Sequence, residues 1–106
     1  MQEYAFSLSS NGKAMTITVD KTKFDAASVA AFNEALQEEW KPGICDVDID
    51  FSKVEFIDSS GIGALLGVQK RLQSDSQPIR ILNARKNVVS VIELLRLHRV
   101  FSIAQA

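Results

Sequence analysis

The sequence predicts an α/β (α+β) fold, a single mixed β-sheet of four to five strands with helices packed on one face. Three observations carry this. Apolar and polar residues alternate in residues 4–8, 15–19 and 45–51, the period of a strand with one buried face. Apolar residues recur every three or four positions in residues 29–40, 62–72 and 88–95, the period of an amphipathic helix. The two kinds of segment intermingle along the chain, as one sheet with a helical layer requires.

Tyr4, Phe6 and Leu8 mark the first strand. Met15, Ile17 and Val19, alternating with Thr16, Thr18 and Asp20, mark the second. Ser9-Ser10-Asn11-Gly12 lies between them, and Asn-Gly tolerates positive φ, so the two strands should form a hairpin. Asp25 then stands where a helix N-cap belongs, its carboxylate available to the free N–H groups of the next turn. Val29, Phe32, Leu36 and Trp40 form one helical face, and Lys41-Pro42-Gly43 ends the helix because Pro cannot continue it. Cys45, Val47, Ile49 and Phe51 alternate with Asp46, Asp48 and Asp50, a strand with one face in a core and carboxylates on the other. That polar face implies helices on the opposite face only.

A short segment, residues 53–57, leads into Asp58-Ser59-Ser60-Gly61 and a second helix, with Ile62, Leu65, Leu66, Gln69 and Leu72 on one face. Residues 74–78 read as a loop and residues 79–82 as another strand. Val88, Val91, Ile92 and Leu95 mark a third helix, and residues 100–103 a closing strand or extended tail.

The chain of 106 residues is one domain's worth, residues 1–106. Twelve basic and thirteen acidic residues give a net charge of -1, poor composition for a nucleic-acid binder. A single Cys and a single His exclude an internal disulfide, a Cys-based metal site and a His-pair metal site. The first residues lack the basic and then apolar regions of a signal peptide. No stretch approaches the ~18 apolar residues of a membrane span. The expectation is a soluble, cytoplasmic protein without membrane insertion or cofactor. The near-neutral total conceals a polarity: residues 1–58 hold five basic and eleven acidic residues, and residues 59–106 hold seven and two.

Three familiar chemistries fail on their spacing. Asp46, Asp48 and Asp50 imitate a calcium loop, but that loop's glycine position is Phe51 and its final carboxylate position is Ile57. Gly61, Gly63 and Gly67 are one residue off a dinucleotide fingerprint, and no Lys-Ser/Thr pair follows a glycine as a phosphate loop needs. Neither Ser59 nor Ser60 is flanked as in a nucleophile elbow, and His98 lies far along the chain in Leu-His-Arg. Catalytic and metal-ligating residues are therefore expected to be absent, and the chain is expected not to be an enzyme.

Two hydroxyls at a helix start, beside a carboxylate and before a glycine, leave two readings open. One is an ordinary N-cap. The other is a phosphorylation site, since a helix N-terminus presents unpaired N–H donors and a partial positive charge to a phosphate.

The stretch from Val47 to Gly63 resembles the signature of the STAS domain, and most closely the stand-alone anti-sigma-factor antagonists of bacterial partner-switching systems. Asp50, Phe51, Val54, Phe56, Asp58, Ser59, Gly61 and Gly63 match that pattern. Weaker likeness continues through Ile81-Leu82-Asn83, Val88, Val91, Leu94, Leu97 and Phe101, and Phe24-Asp25 is similar to the hydrophobic-Asp pair before the family's first helix.

The resemblance implies a mechanism without catalysis. Ser59 would be the phosphoacceptor. An anti-sigma factor that is also a serine kinase would bind the unmodified form, phosphorylate it and lose it, and a metal-dependent serine phosphatase would reset it. The partner-binding surface would comprise Asp25, Asp58, Ser59, Ser60, Gly61, Ile62 and Gly63, with Asp25 either capping its helix or touching the serine loop. The alternative is a structural STAS subunit of a membrane transport complex without a phospho-switch. The sequence departs from the family pattern where Thr22 and Arg96 replace common glycines, and it stops at Ala106, where many relatives add a helix.

Overall fold

The computed structural model describes residues 3–72 and 76–104. The alternating segments become β1 (Tyr4–Leu8), β2 (Ala14–Val19) and β4 (Asp46–Asp50), joined in one sheet by β6 (Arg80–Leu82) and β7 (Ser102–Ala104). The order is β1-β2-β4-β6-β7. β1 and β2 pair antiparallel, and every other pairing in the sheet is parallel. Parallel neighbours need a crossover, and α1 (Ala26–Glu39), α2 (Ser59–Arg71) and α3 (Lys86–Leu94) supply the three.

The register explains the alternation. Phe6, Ile17, Ile49, Ile81 and Ile103 lie opposite one another in a single row across all five strands. The three central isoleucines of that row are fully buried beneath the helices. The neighbouring row is Ser7, Thr16, Asp48, Arg80 and Ser102. It lies on the polar, uncovered face, where the Arg80 guanidinium donates to Asp48 at 2.5 Å. The hydrogen bond to that carboxylate, and its charge, raise the already high pKa of Arg80.

The helices bury Ser28, Phe32 and Leu36 from α1, Gly61, Ile62, Ala64, Leu65 and Val68 from α2, and Val88 and Ile92 from α3. Phe24 contacts Phe32 and Phe51 edge-on at 5.0 and 5.5 Å, and Tyr4 meets Phe32 at 5.3 Å. Such T-shaped pairs are a favoured aromatic geometry.

Several expectations need correction. A two-stranded parallel sheet, β3 (Lys23–Phe24) with β5 (Phe56–Ile57), accompanies the main sheet. The buried stripe of α2 centres on Ala64, Leu65 and Val68, while Leu66 and Gln69 are half-buried. Leu95 is exposed, since α3 has already ended at Leu94 and the chain bends into a 3-10 turn, Leu97–Arg99. In the hairpin turn only Gly12 takes positive φ (72°). The Asn11 side chain instead accepts from the Ser9 hydroxyl at 2.7 Å and the Lys13 N–H at 3.0 Å. Of the expected loop at 74–78, Ser74 and Asp75 lie outside the described residues, and the rest is irregular.

Candidate functional site

The small sheet decides the geometry. Phe24 pairs with Ile57, so Asp25 and Asp58 follow as neighbours, each preceding a helix. Their backbones adopt nearly the same extended conformation, φ -132° and ψ -172° at Asp25, φ -117° and ψ -174° at Asp58. The two helices therefore begin side by side, and their positive dipole ends meet here.

The two carboxylates then diverge. Asp58 caps its own helix, Oδ1 accepting from the Gly61 N–H at 3.0 Å. Its Oδ2 accepts from the Ala26 N–H of α1 at 3.3 Å. Asp25 occupies the N-cap position of α1 without accepting any N–H through its side chain. The hydroxyl of buried Ser28 lies 3.1 Å from both Asp25 Oδ1 and the Lys23 carbonyl and shares its proton between them. The capping expected of Asp25 is thus performed by Asp58, because pairing of β3 with β5 brings Asp58 to the α1 N-terminus. A hydrogen bond from the Ala26 N–H to Asp58 ties the serine loop to the first helix.

Ser59 is the first residue of α2 and is exposed, whereas Ser60 is half-buried. The cap belongs to Asp58, so neither serine is needed to start the helix. Gly61 is buried for a steric reason: a Cβ there would stand 2.1 Å from the Phe24 carbonyl oxygen and 2.8 Å from Ile57 Cγ1. Absence of a side chain lets α2 press against β3. Ile62, placed on the recognition surface from sequence, faces the core and is 5% exposed. Gly63 is exposed and open. The surface around Ser59 consequently comprises Asp58, Ser60 and Gly63 with half-buried Asp25 alongside.

Sequence reasoning missed Phe56 as a surface residue. In a two-residue strand Ile57 turns inward and Phe56 outward, leaving Phe56 48% exposed. The Thr22 carbonyl anchors this strand, accepting from the Glu55 and Phe56 N–H groups at 2.7 and 3.1 Å. The Asn87 side-chain amide donates to the Glu55 carbonyl and ties α3 to the same corner.

Among the described residues, no group of three or more His, Cys, Asp or Glu side chains is placed to hold a metal ion. Among them, too, no helix is long and apolar enough to cross a membrane.

No curated protein matches the sequence. Solved structures do match. An anti-sigma factor antagonist from Mycobacterium paratuberculosis superimposes with a TM-score of 0.76 at 20% identity, over 95% of this chain and 85% of its own. A Thermotoga maritima protein assigned as an anti-sigma factor antagonist gives 0.78 at 18% identity, over 97% and 86%. The Bacillus cell fate determinant SpoIIAA in its phosphorylated form gives 0.71 at 17% identity, over 97% and 90%. At these identities the likeness is one of fold. The family model described as Mlab, STAS domain, matches residues 6–103. That match runs from the first strand to the last, and it takes in the helix start at Asp58 and the corner that holds it: the chain belongs to the STAS domain family.

Proposed function

We propose that this protein is an anti-sigma-factor antagonist or a close partner-switching relative, acting by binding rather than catalysis, with Ser59 as its phosphoacceptor. The observation that carries the reading is the exposed Ser59 hydroxyl at the first position of α2, beside an Asp58 that already caps the helix. Because Asp58 supplies the cap, Ser59 is free to be modified without unfolding the helix start. The paired N-termini of α1 and α2 favour added negative charge. A phosphate adds about −1.5 to −2 charge units. Next to the Asp58 and Asp25 carboxylates, it converts a surface of small hydroxyls into a dense anion.

In this reading a serine kinase that doubles as an anti-sigma factor docks over Ser59, Ser60 and Gly63 and is released by its own product. A metal-dependent serine phosphatase restores the neutral form. Gly61 and Ile62 act from beneath by placing the helix, and Asp25 by shaping its edge. Similarity in fold to antagonists solved in phosphorylated and unphosphorylated forms supports the reading.

The second reading, a structural STAS subunit of a membrane transport complex without a switch, draws support from apolar surface at Leu94 and Leu95. One experiment separates the two. Partner capture is measured with wild type, Ser59→Ala and Ser59→Asp, alongside phosphopeptide mass spectrometry of protein from native cells. The switch predicts phosphate on Ser59, retained capture by the Ala variant and lost capture by the Asp variant. Equal capture by both variants, with no phosphate found, favours the structural subunit.

A further inference from the structure

Gly inside a helix is destabilising unless something forbids a side chain there. Gly61 has such a reason, whereas a Cβ at Gly63 or Gly67 meets nothing within 4 Å. The two open glycines are one turn apart on α2. With Leu66, Gln69, Lys70 and, from beyond α3, Val100, they line an open groove of about 500 Å³. Among the described residues, the wall contains no acidic residue. Apolar surface continues into the segment that carries Val100: Leu94 is 82% exposed, Leu95 51% and Val100 itself 37%.

The charged residue in the groove's described wall is a cation. Lys70 is part of the wall, and Arg96 and Arg99 belong to the segment from Leu94 to Val100. The ion pairs among the described residues lie elsewhere, at Lys21–Glu3, Lys53–Asp20 and Arg80–Asp48. Among the described residues, none of these three cations has an ion-pair partner.

We propose that the groove between α2 and the turn after α3 docks an amphipathic helix of a partner protein. The helix's apolar ridge rests on Gly63, Leu66, Gly67 and Val100, and acidic residues on its flanks face Lys70, Arg96 and Arg99. The bare glycines let a second helix approach at the short end of ordinary interaxial distances, about 8 Å. Their one-turn separation matches the pitch at which side chains of the incoming helix repeat. Apolar contact supplies affinity, and the unpaired cations select an acidic helix over a basic one. The inference does not rest on Ser59 being a phosphoacceptor.

A display library tests it: amphipathic helices with a fixed leucine ridge and flanks randomised among Glu, Gln, Ser and Lys, selected on the full chain. The expected binders carry net-negative flanks. Their affinity falls about tenfold or more on Gly67→Leu, which fills the groove, and on Lys70→Glu. Circular dichroism of Gly67→Leu should be unchanged, because its side chain enters open space. Should that variant misfold, Lys70→Glu and Leu66→Glu carry the same comparison. Lack of enrichment, neutral or basic flanks, or binding indifferent to these substitutions overturns the proposal. Self-association in sedimentation that Gly67→Leu abolishes also overturns it, placing a second copy in the groove. Ser59→Asp with helix binding intact but kinase capture lost shows that the groove and the switch stand or fall separately.

Discussion

The Asp58 carboxylate accepts from the Ala26 N–H, so a residue capping one helix also holds the start of another that lies 32 positions earlier in the chain. Each bond satisfies an otherwise orphaned donor. Asp58→Ala removes both at once. An N-cap is worth about 1 kcal/mol, so the expected loss is about 2 kcal/mol, read as a lower urea midpoint at unchanged slope. Asp58→Asn retains one acceptor oxygen and should lose roughly half of that. Asp25→Ala should cost less than Asp58→Ala, since the Asp25 side chain caps no helix N–H.

The three glycines of α2 should answer oppositely to alanine. Gly61→Ala drives a methyl into the Phe24 carbonyl and should cost about 1–3 kcal/mol, the usual range for overpacking. Gly63→Ala and Gly67→Ala meet open space and should each stabilise by about 0.5–1 kcal/mol. Thermal unfolding of the three variants side by side checks the sign of each.

Arg96 sits in the left-handed region at φ 61°, ψ 22°, a conformation that costs an L-residue about 1–2 kcal/mol. Arg96→Gly removes that strain at some entropic cost in the unfolded chain. A net gain of about 0.5–1 kcal/mol should appear as a higher melting temperature. This is also the position where the STAS resemblance expected glycine.

Tyr4 links its ring to the core and its hydroxyl to the Ser28 carbonyl at 3.2 Å. Burial raises its pKa above the ordinary 10.0, although Lys21 and the Ser28 contact pull the other way. The folded state thus holds the proton more tightly than the unfolded one. The associated stability is present below pH 10 and is lost as pH rises through the folded pKa. Tyr4→Phe should lose about 0.5–1.5 kcal/mol at neutral pH and show a shallower decline in alkali. Denaturant midpoints for both proteins on either side of pH 10 decide this.

The parts legible in the sequence are those governed by period. Ile17 and Ile49 alternate with polar neighbours, and the structure sets them beside Ile81 in one buried row. The STAS signature placed Asp58, Ser59 and Gly61 at a helix start, where they stand. What escaped depends on proximity rather than period. Two residues are too few to show alternation, so β3 and β5 were invisible, and with them the reach of Asp58 to Ala26. The core position of Ile62 follows from how α2 rotates against the sheet, which no local pattern records. The need for Gly61, against the freedom of Gly63 and Gly67, is set by one carbonyl oxygen on a strand far away in sequence.

The strand order carries a consequence in time. β1 and β2 are joined by a tight turn, and a hairpin of that kind closes in about 1–10 μs. Every other pairing of the main sheet waits for a helix to cross over first. Closing such long loops precedes any reward from contact, which slows folding. The corner that holds Ser59 requires β3 and β5 to meet across α1 and β4, so it is assembled late. During synthesis the hairpin emerges first, while β6, the partner of β4, follows only after α2. A chain caught in that interval has its central strand open on one edge, and the interval is when it most needs protection from wrong pairing.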